Sequence, residues 1–205
     1  MTLKKLHYIS GLILTLFVGI HLVNHLYSIH GIEDHLAVME SLRLYYKNFI
    51  VETLILLAVA VQIPSGIKLV ANLRKGSESG VEKLQLWTGL YLAFFFVIHV
   101  GSVLVGRFIL KLDTNFYYGT AGLNTFPFNL FFIPYYGIAN LSFFGHVAAI
   151  HQQKMKRSFF SLTPQKQGKF ILAFGFIITI LMFYGLTNHF QGISLPENYK
   201  VLVGK

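Results

Sequence analysis

LHYISGLILTLFVGIHLVNHLYSI, residues Leu6 to Ile29, runs for 24 residues without an Asp, Glu, Lys or Arg. At about 1.5 Å per residue, a helix of that length covers the roughly 30 Å hydrocarbon thickness of a bilayer. Four further stretches share its character: about Phe49 to Asn72, Leu84 to Leu110, Phe126 to His151 and Phe170 to Gln191. The period-2 alternation of a lipid-facing barrel strand is missing. In lipid, backbone polar groups must be satisfied within the fold, so the pattern predicts an all-α integral membrane bundle of five transmembrane helices in a single domain, 1–205. The five residues before Leu6 are too short for the basic region of a cleaved signal, so the first stretch is expected to be a permanent span.

Composition agrees. Of the 205 residues 54% are hydrophobic and 12% charged, with mean hydropathy +0.59. Too little polar surface is left to face water. The chain has no cysteine, which excludes disulfides, thiolate nucleophiles and iron-sulfur ligation by its own side chains. A net charge of +9 first reports orientation in a membrane protein rather than nucleic acid.

Five spans put the termini on opposite sides. Eleven of the 17 basic residues fall on the N-terminal side: Lys4, Lys5, Lys68, Arg74, Lys75, Lys83, Lys154, Lys156, Arg157, Lys166 and Lys169. The expected topology is therefore a cytoplasmic N-terminus and an outer C-terminus in the cytoplasmic membrane. The inner basic face would attract anionic lipid or an acidic partner surface. Short turns are expected at Gly76–Gly80 and Ser161–Gln167, and a longer polar-aromatic loop at Lys111–Thr125 that folds over one end of the bundle.

Two segments repeat one pattern. Ser10-Gly11-Leu12 with Phe17 and His21-Leu22 resembles Thr88-Gly89-Leu90 with Phe95 and His99-Val100, the glycine preceding the histidine by ten positions in both. Spans one and three run in the same direction, so His21 and His99 are expected at matched depth, roughly 10 to 12 Å inside the hydrocarbon. A buried imidazole there is costly unless paired or coordinated, which makes a functional role the default hypothesis. Two imidazoles saturate a haem iron; Gly11, Gly19, Gly89 and Gly101 thin the helix faces, and Phe17, Phe95 and Phe96 can pack on a macrocycle. His25, one turn beyond His21, is an alternative ligand. On the antiparallel spans two and four, the deep polar residues are Gln62 and His146, further in by about 10 to 15 Å. Gln62 cannot complete a second bis-imidazole site.

These stretches, with Leu84-Gln85-Leu86-Trp87-Thr88-Gly89 and Phe144-Gly145-His146, resemble the cytochrome b membrane anchor of succinate dehydrogenases and fumarate reductases in its single-chain, five-helix form. The resemblance spans the first four helices. It implies haem b held near the outer face by His21 and His99, with His146 as one ligand of a second, inner haem. The second-helix motif reads Gln62-Ile63-Pro64-Ser65-Gly66, so the histidine is replaced and the second haem loses a ligand. It further implies quinone as a partner, flavoprotein and iron-sulfur subunits on the cytoplasmic face, and electron transfer within an oxidoreductase complex rather than catalysis by the chain alone. No nucleic-acid partner is expected. The competing class is a haem-free transporter or metal-handling protein that uses the histidine layer as a relay.

Other residues divide between two readings. Arg107, eight residues after His99, is a candidate partner for a haem propionate or an interfacial anchor. Glu52 is expected to pair with Arg43 or Lys47, or to take protons from a quinol. Pro64 removes a backbone donor beside Gln62. His7 is a quinone-site candidate by resemblance, and His151 is expected at the interface. His30 and His35, with Glu33 and Asp34, are assigned to a solvated outer loop, and His189 to the outer end of span five; together they are also copper or zinc candidates.

Overall fold

A computed structural model describes residues 1–73 and 79–204. Seven α-helices account for most of it: α1 (Leu3–Leu26), α2 (Ile32–Tyr46), α3 (Phe49–Leu73), α4 (Gly80–Phe108), α5 (Phe116–Thr120), α6 (Asn129–Lys154) and α7 (Pro164–Leu186). A 3₁₀ turn, Tyr27–Ile29, extends α1, and another, Glu197–Val203, lies near the C-terminus. Among the described residues the only β pairing is the isolated bridge between Phe159 and Leu162. Four helical stretches are long and apolar enough to cross a membrane: Leu3–Ile29, Phe49–Ala71, Gly80–Phe108 and Pro164–Leu186.

Local chemistry sets the helix starts. The Thr2 side chain accepts from the Lys5 amide at α1, and Ser79 and Glu82 form a reciprocal capping box at α4. Thr163 caps α7 with Pro164 in its first turn, where a missing amide hydrogen costs nothing. The turn expected over Ser161–Gln167 therefore ends at Thr163, and the fifth long helix starts six residues before Phe170. The turn expected at Gly76–Gly80 falls largely outside the described residues, as do Arg74 and Lys75. α3 continues through Pro64 without a break in its helical assignment.

The five long helices close into a ring. α1 packs on α3, α3 on α4, α4 on α6, α6 on α7, and α7 returns to α1 and the turn after it. α1 and α4 face each other across this ring, which leaves room between them. α6 is the least hydropathic of the five and carries eight buried residues, among them Asn140 and Ser142. Its polar groups are spent inside the bundle: Asn140 Nδ2 donates to Thr179 Oγ1 of α7 at 2.6 Å.

The stretch read as a solvated loop after the first span is α2, and His35 in it is 2% exposed. His35, Met39 and Arg43 are its buried residues, at a spacing of four that places them on one face. Gly31, with φ of 143°, makes the chain reversal that a side chain would resist and so lets α2 fold back. The Lys111–Thr125 loop does fold over the bundle end. Its helix α5 buries Phe116, with Ala121 and Leu123 buried just after it, and Phe116 and Leu123 cluster with Leu186 at the end of α7.

Candidate functional site

The repeat in the sequence becomes two matched helix pairs. On α1, Ser10 Oγ donates to Gln62 Oε1 of α3 at 2.5 Å, and the bare face of Gly11 leaves 3.3 Å to Gln62 Nε2 from where a Cβ would stand. On α4, Thr88 Oγ1 lies 3.3 Å from His146 Nδ1 of α6, and Gly89 leaves 3.0 Å to that imidazole. The small-residue pairs ten positions before His21 and His99 thus make room for Gln62 and His146. By contrast, Gly19 and Gly101, expected to thin the faces near the histidines, have nothing within 4 Å.

Nearly three turns further along, His21 and His99 face each other with ring centroids 6.2 Å apart and planes at 67°. Phe17 stacks under His21 at 5.9 Å and 19°, and Phe95 under His99 at 4.9 Å and 13°. The i,i+4 spacing on each helix produces both stacks. A cavity of about 260 Å³ opens around the pair, walled by Leu14, Ile55, Val59 and Phe96. Arg43, Lys47, Glu52 and Arg107 line its other end, which is the end away from Met1. An apolar slot with a few charges at one mouth is the usual build of a cofactor site.

The centroid spacing of the pair matches what two imidazoles sharing one metal require, and a haem is the group it is tested against. Two imidazoles on opposite sides of one metal, each nitrogen about 2 Å from it, put their ring centroids about 6 Å apart. A macrocycle supplies the other ligands, so two protein nitrogens suffice. Among the described residues, no group of three or more His, Cys, Asp or Glu side chains is placed to hold a metal ion alone. His25 joins the arrangement from the same helix face: its Nε2 is 3.0 Å from His21 Nε2, and its Nδ1 is 3.4 Å from His35 Nε2. Two nitrogens, from His21 and His25, therefore converge on one side of the slot, with His99 on the other.

The inner level does not offer the same fit. Gln62 is held by Ser10, and its Nε2 is 3.2 Å from His7 Nε2, while His7 Nδ1 meets Ser65 Oγ at 2.9 Å. The amide is thus engaged in a hydrogen-bonded network, and an amide is in any case a weak ligand for haem iron. His146 Nδ1 is anchored 3.1 Å from the Gln85 carbonyl.

The charged groups pair differently from the sequence expectation. Glu52 forms its ion pair with Arg107 rather than with Arg43 or Lys47, which commits Arg107 to a carboxylate of the protein instead of leaving it free for a propionate. Arg43, 7% exposed, bridges Glu40 at 2.7 Å and Asp113 at 2.8 Å, tying α2 to the capping loop. Burial opposes the Arg43 charge, but the two carboxylates raise its pKa above the ordinary value. Burial likewise works against the Asp113 carboxylate, and the Arg43 hydrogen bond and charge overcome it and hold the group below its usual range. Burial, with the charges of His21 and Arg43, pushes His35 down to about 4.

His151 bonds Gln167 Oε1 at 2.7 Å, and His189 lies 3.1 Å from the Ile29 carbonyl, so both have structural partners. The residues that sequence reasoning missed are Asn24 and Asn140, both buried, and the inward placement of His35. The stripe His35, Met39, Arg43, at a spacing of four, was the available signal for the last. Comparison of the chain with protein-family models, characterised proteins and solved structures returns no match.

Proposed function

We propose that this chain is a membrane b-type cytochrome that carries electrons between a quinone or quinol and a redox partner. The observation that supports it is the facing pair His21 and His99, 6.2 Å apart in an apolar slot between opposed helices. In this reading His21 and His99 hold one haem b, which when bound supplies reversible one-electron transfer. Phe17 and Phe95 fix the imidazole planes by stacking, and the His25–His35 row orients the ring beside His21. The apolar walls exclude water, and Lys47 places positive charge at the mouth, where it would suit a group that carries carboxylates.

The bundle crosses the membrane five times, α6 being the additional span; its polarity is tolerated because α4 and α7 cover it. The N-terminus is cytoplasmic and the C-terminus outside, following the excess of Lys and Arg at the Met1 end. That basic face suits flavoprotein and iron-sulfur subunits of the kind the sequence resemblance implies, which would make the chain the electron-transfer subunit of an oxidoreductase.

The test is the reduced-minus-oxidised visible spectrum of the purified protein. A b-haem signal is expected in the wild type and lost in His21→Ala and in His99→Ala. Full haem occupancy in both single variants rejects the ligand assignment. The second reading, a haem-free relay or metal-handling protein, draws on the hydrogen-bonded row His21–His25–His35. It predicts a colourless protein.

A further inference from the structure

The turn between α6 and α7 stands at the Met1 end of the bundle, where the Lys154 ammonium lies 3.6 Å from the centre of the Tyr8 ring of α1. Every residue from Lys154 to Ser161 is exposed. Phe159 and Leu162 exchange both backbone hydrogen bonds, at 3.1 and 2.9 Å, around Phe160 and Ser161, whose φ values are 46° and 61°. Two positive φ values in succession make this a primed turn, in which Asn and Gly are usual and a phenylalanine is a steric outlier. The turn sets the Phe160 ring at its tip, 85% exposed, with the Phe159 ring beside it at a centroid distance of 4.4 Å. Two large apolar rings left outside the fold are expensive in water.

Positive charge surrounds the pair. Lys156 and Arg157 precede it, and Lys166 and Lys169 follow in the first turns of α7. Among the described residues the ion pairs engage Arg43, Arg107 and Lys200, none of them at this end. Glu82 is the described acid on this side, and its carboxylate is taken up by the Ser79 capping box. The four cations therefore face an anion that the chain does not supply.

α7 indicates where that anion stands. Lys166 lies one turn before Phe170 and Phe174, and Lys169 opens the row continued by Phe176 and Ile180, both at helical spacing. These four apolar side chains are exposed on a helix apolar enough to cross a membrane. A lipid-facing row that ends in a lysine puts the ammonium among the headgroups, its methylene stem lying along the acyl chains. The aromatic pair belongs at the same boundary, where ring side chains settle. A zwitterionic headgroup neutralises its own phosphate, whereas an anionic one leaves the charge for the protein. We propose that the α6–α7 turn is a binding site for an anionic phospholipid, with Phe159 and Phe160 among the upper acyl chains and Lys156, Arg157, Lys166 and Lys169 around the headgroup. The site is independent of what the histidine slot holds.

The experiment uses the purified full chain in nanodiscs of mixed phosphatidylglycerol and phosphatidylcholine. Trp87→Phe removes the single tryptophan, and Phe160→Trp then makes the tip the only indole. Brominated acyl chains, which quench an indole they touch, are carried by the same amount of one lipid or of the other. Quenching is expected from both, at least about threefold stronger when the bromine is on phosphatidylglycerol. Adding Lys156→Gln and Arg157→Gln is expected to cut that preference by half or more. Equal quenching by the two lipids before neutralisation overturns the proposal, and so does a preference that neutralisation leaves unchanged. Absence of quenching from either lipid also overturns it and leaves a protein surface as the cover of the turn. A further check needs no variant to fold. Native mass spectrometry of the unaltered chain from mixed micelles of the two lipids is expected to show phosphatidylglycerol adducts in excess, and equal adducts reject the site.

Discussion

The two levels of the bundle are presented by alternate helix pairs of one ring, and only one of them pairs two imidazoles. At the level further from Met1, α1 and α4 present His21 and His99 to each other, and the space between them stays open. At the level nearer Met1, α3 and α6 present Gln62 and His146, and Gln62 is taken up by Ser10 and His7. An imidazole whose N–H is held by a neighbour keeps one nitrogen lone pair on its other side, so two such rings leave a gap that a metal can fill. An amide is both donor and acceptor, so it finds polar neighbours and closes the gap itself. Matched backbone geometry therefore does not imply matched function.

The largest effect that would break this contrast is the loss of haem. His99→Ala is expected to abolish the b-haem spectrum, whereas His146→Ala is expected to leave it intact, because in the proposed reading only the outer level holds a haem. Haem analysis of the wild type is expected to give about one haem per chain. A value near two would show that the inner level is filled despite Gln62.

A constructive version sharpens it. Gln62→His puts a second imidazole at the inner level with His146, whose Nδ1 is already oriented by the Gln85 carbonyl in the way that supporting bonds orient metal-binding histidines. Haem content is expected to rise from about one toward two per chain, measured by pyridine haemochrome. No rise would mean that something other than the missing imidazole closes the inner level.

Much of this contrast was legible in the sequence, because it rests on spacing along helices. The 24-residue uncharged run Leu6–Ile29 and its counterparts predicted long helices, and the matched distance from Gly11 to His21 and from Gly89 to His99 predicted equal depth. What spacing alone could not reveal is what each glycine faces, since that depends on which helices are neighbours in the ring. Gly11 and Gly89 serve Gln62 and His146, not the histidines of their own helices. Nor was α2 foreseen: His30, Glu33, Asp34 and His35 look polar in isolation, and only the tertiary fold turns His35 inward against Phe116. Charge pairing was the least legible feature, because Glu52 meets Arg107 across 55 positions.

The buried His35 gives a pH-dependent handle on the outer level. Its pKa in the folded protein is pushed down to about 4 from 6.5. Between those values the unfolded chain binds a proton that the folded chain refuses, so stability rises with pH through the window and falls on acidification. The span corresponds to about 3 kcal/mol at its full extent. Denaturation in mixed detergent at pH 6.5 and pH 4 is expected to show this loss, reduced in His35→Leu. An identical pH slope in that variant would place the acid sensitivity elsewhere.

The smallest effect concerns the loop that covers the outer level. Arg43 is buried and Asp113 is about half exposed, so water screens part of their attraction, and removing the carboxylate leaves a guanidinium that still holds Glu40. Asp113→Asn is expected to cost about 1 kcal/mol. Because the folded carboxyl is held below its usual range, its contribution is complete above the ordinary carboxylate pKa and disappears as the pH falls through the lower, folded value. Arg43→Met removes both ion pairs at once and should loosen the capping loop more than Asp113→Asn does. Hydrogen exchange at the Phe116–Thr120 amides measures that loosening directly. If exchange there rises in the Arg43 variant while the inner residues around Gln62 stay protected, the two levels are energetically separate; a uniform rise through the bundle would show that they open together.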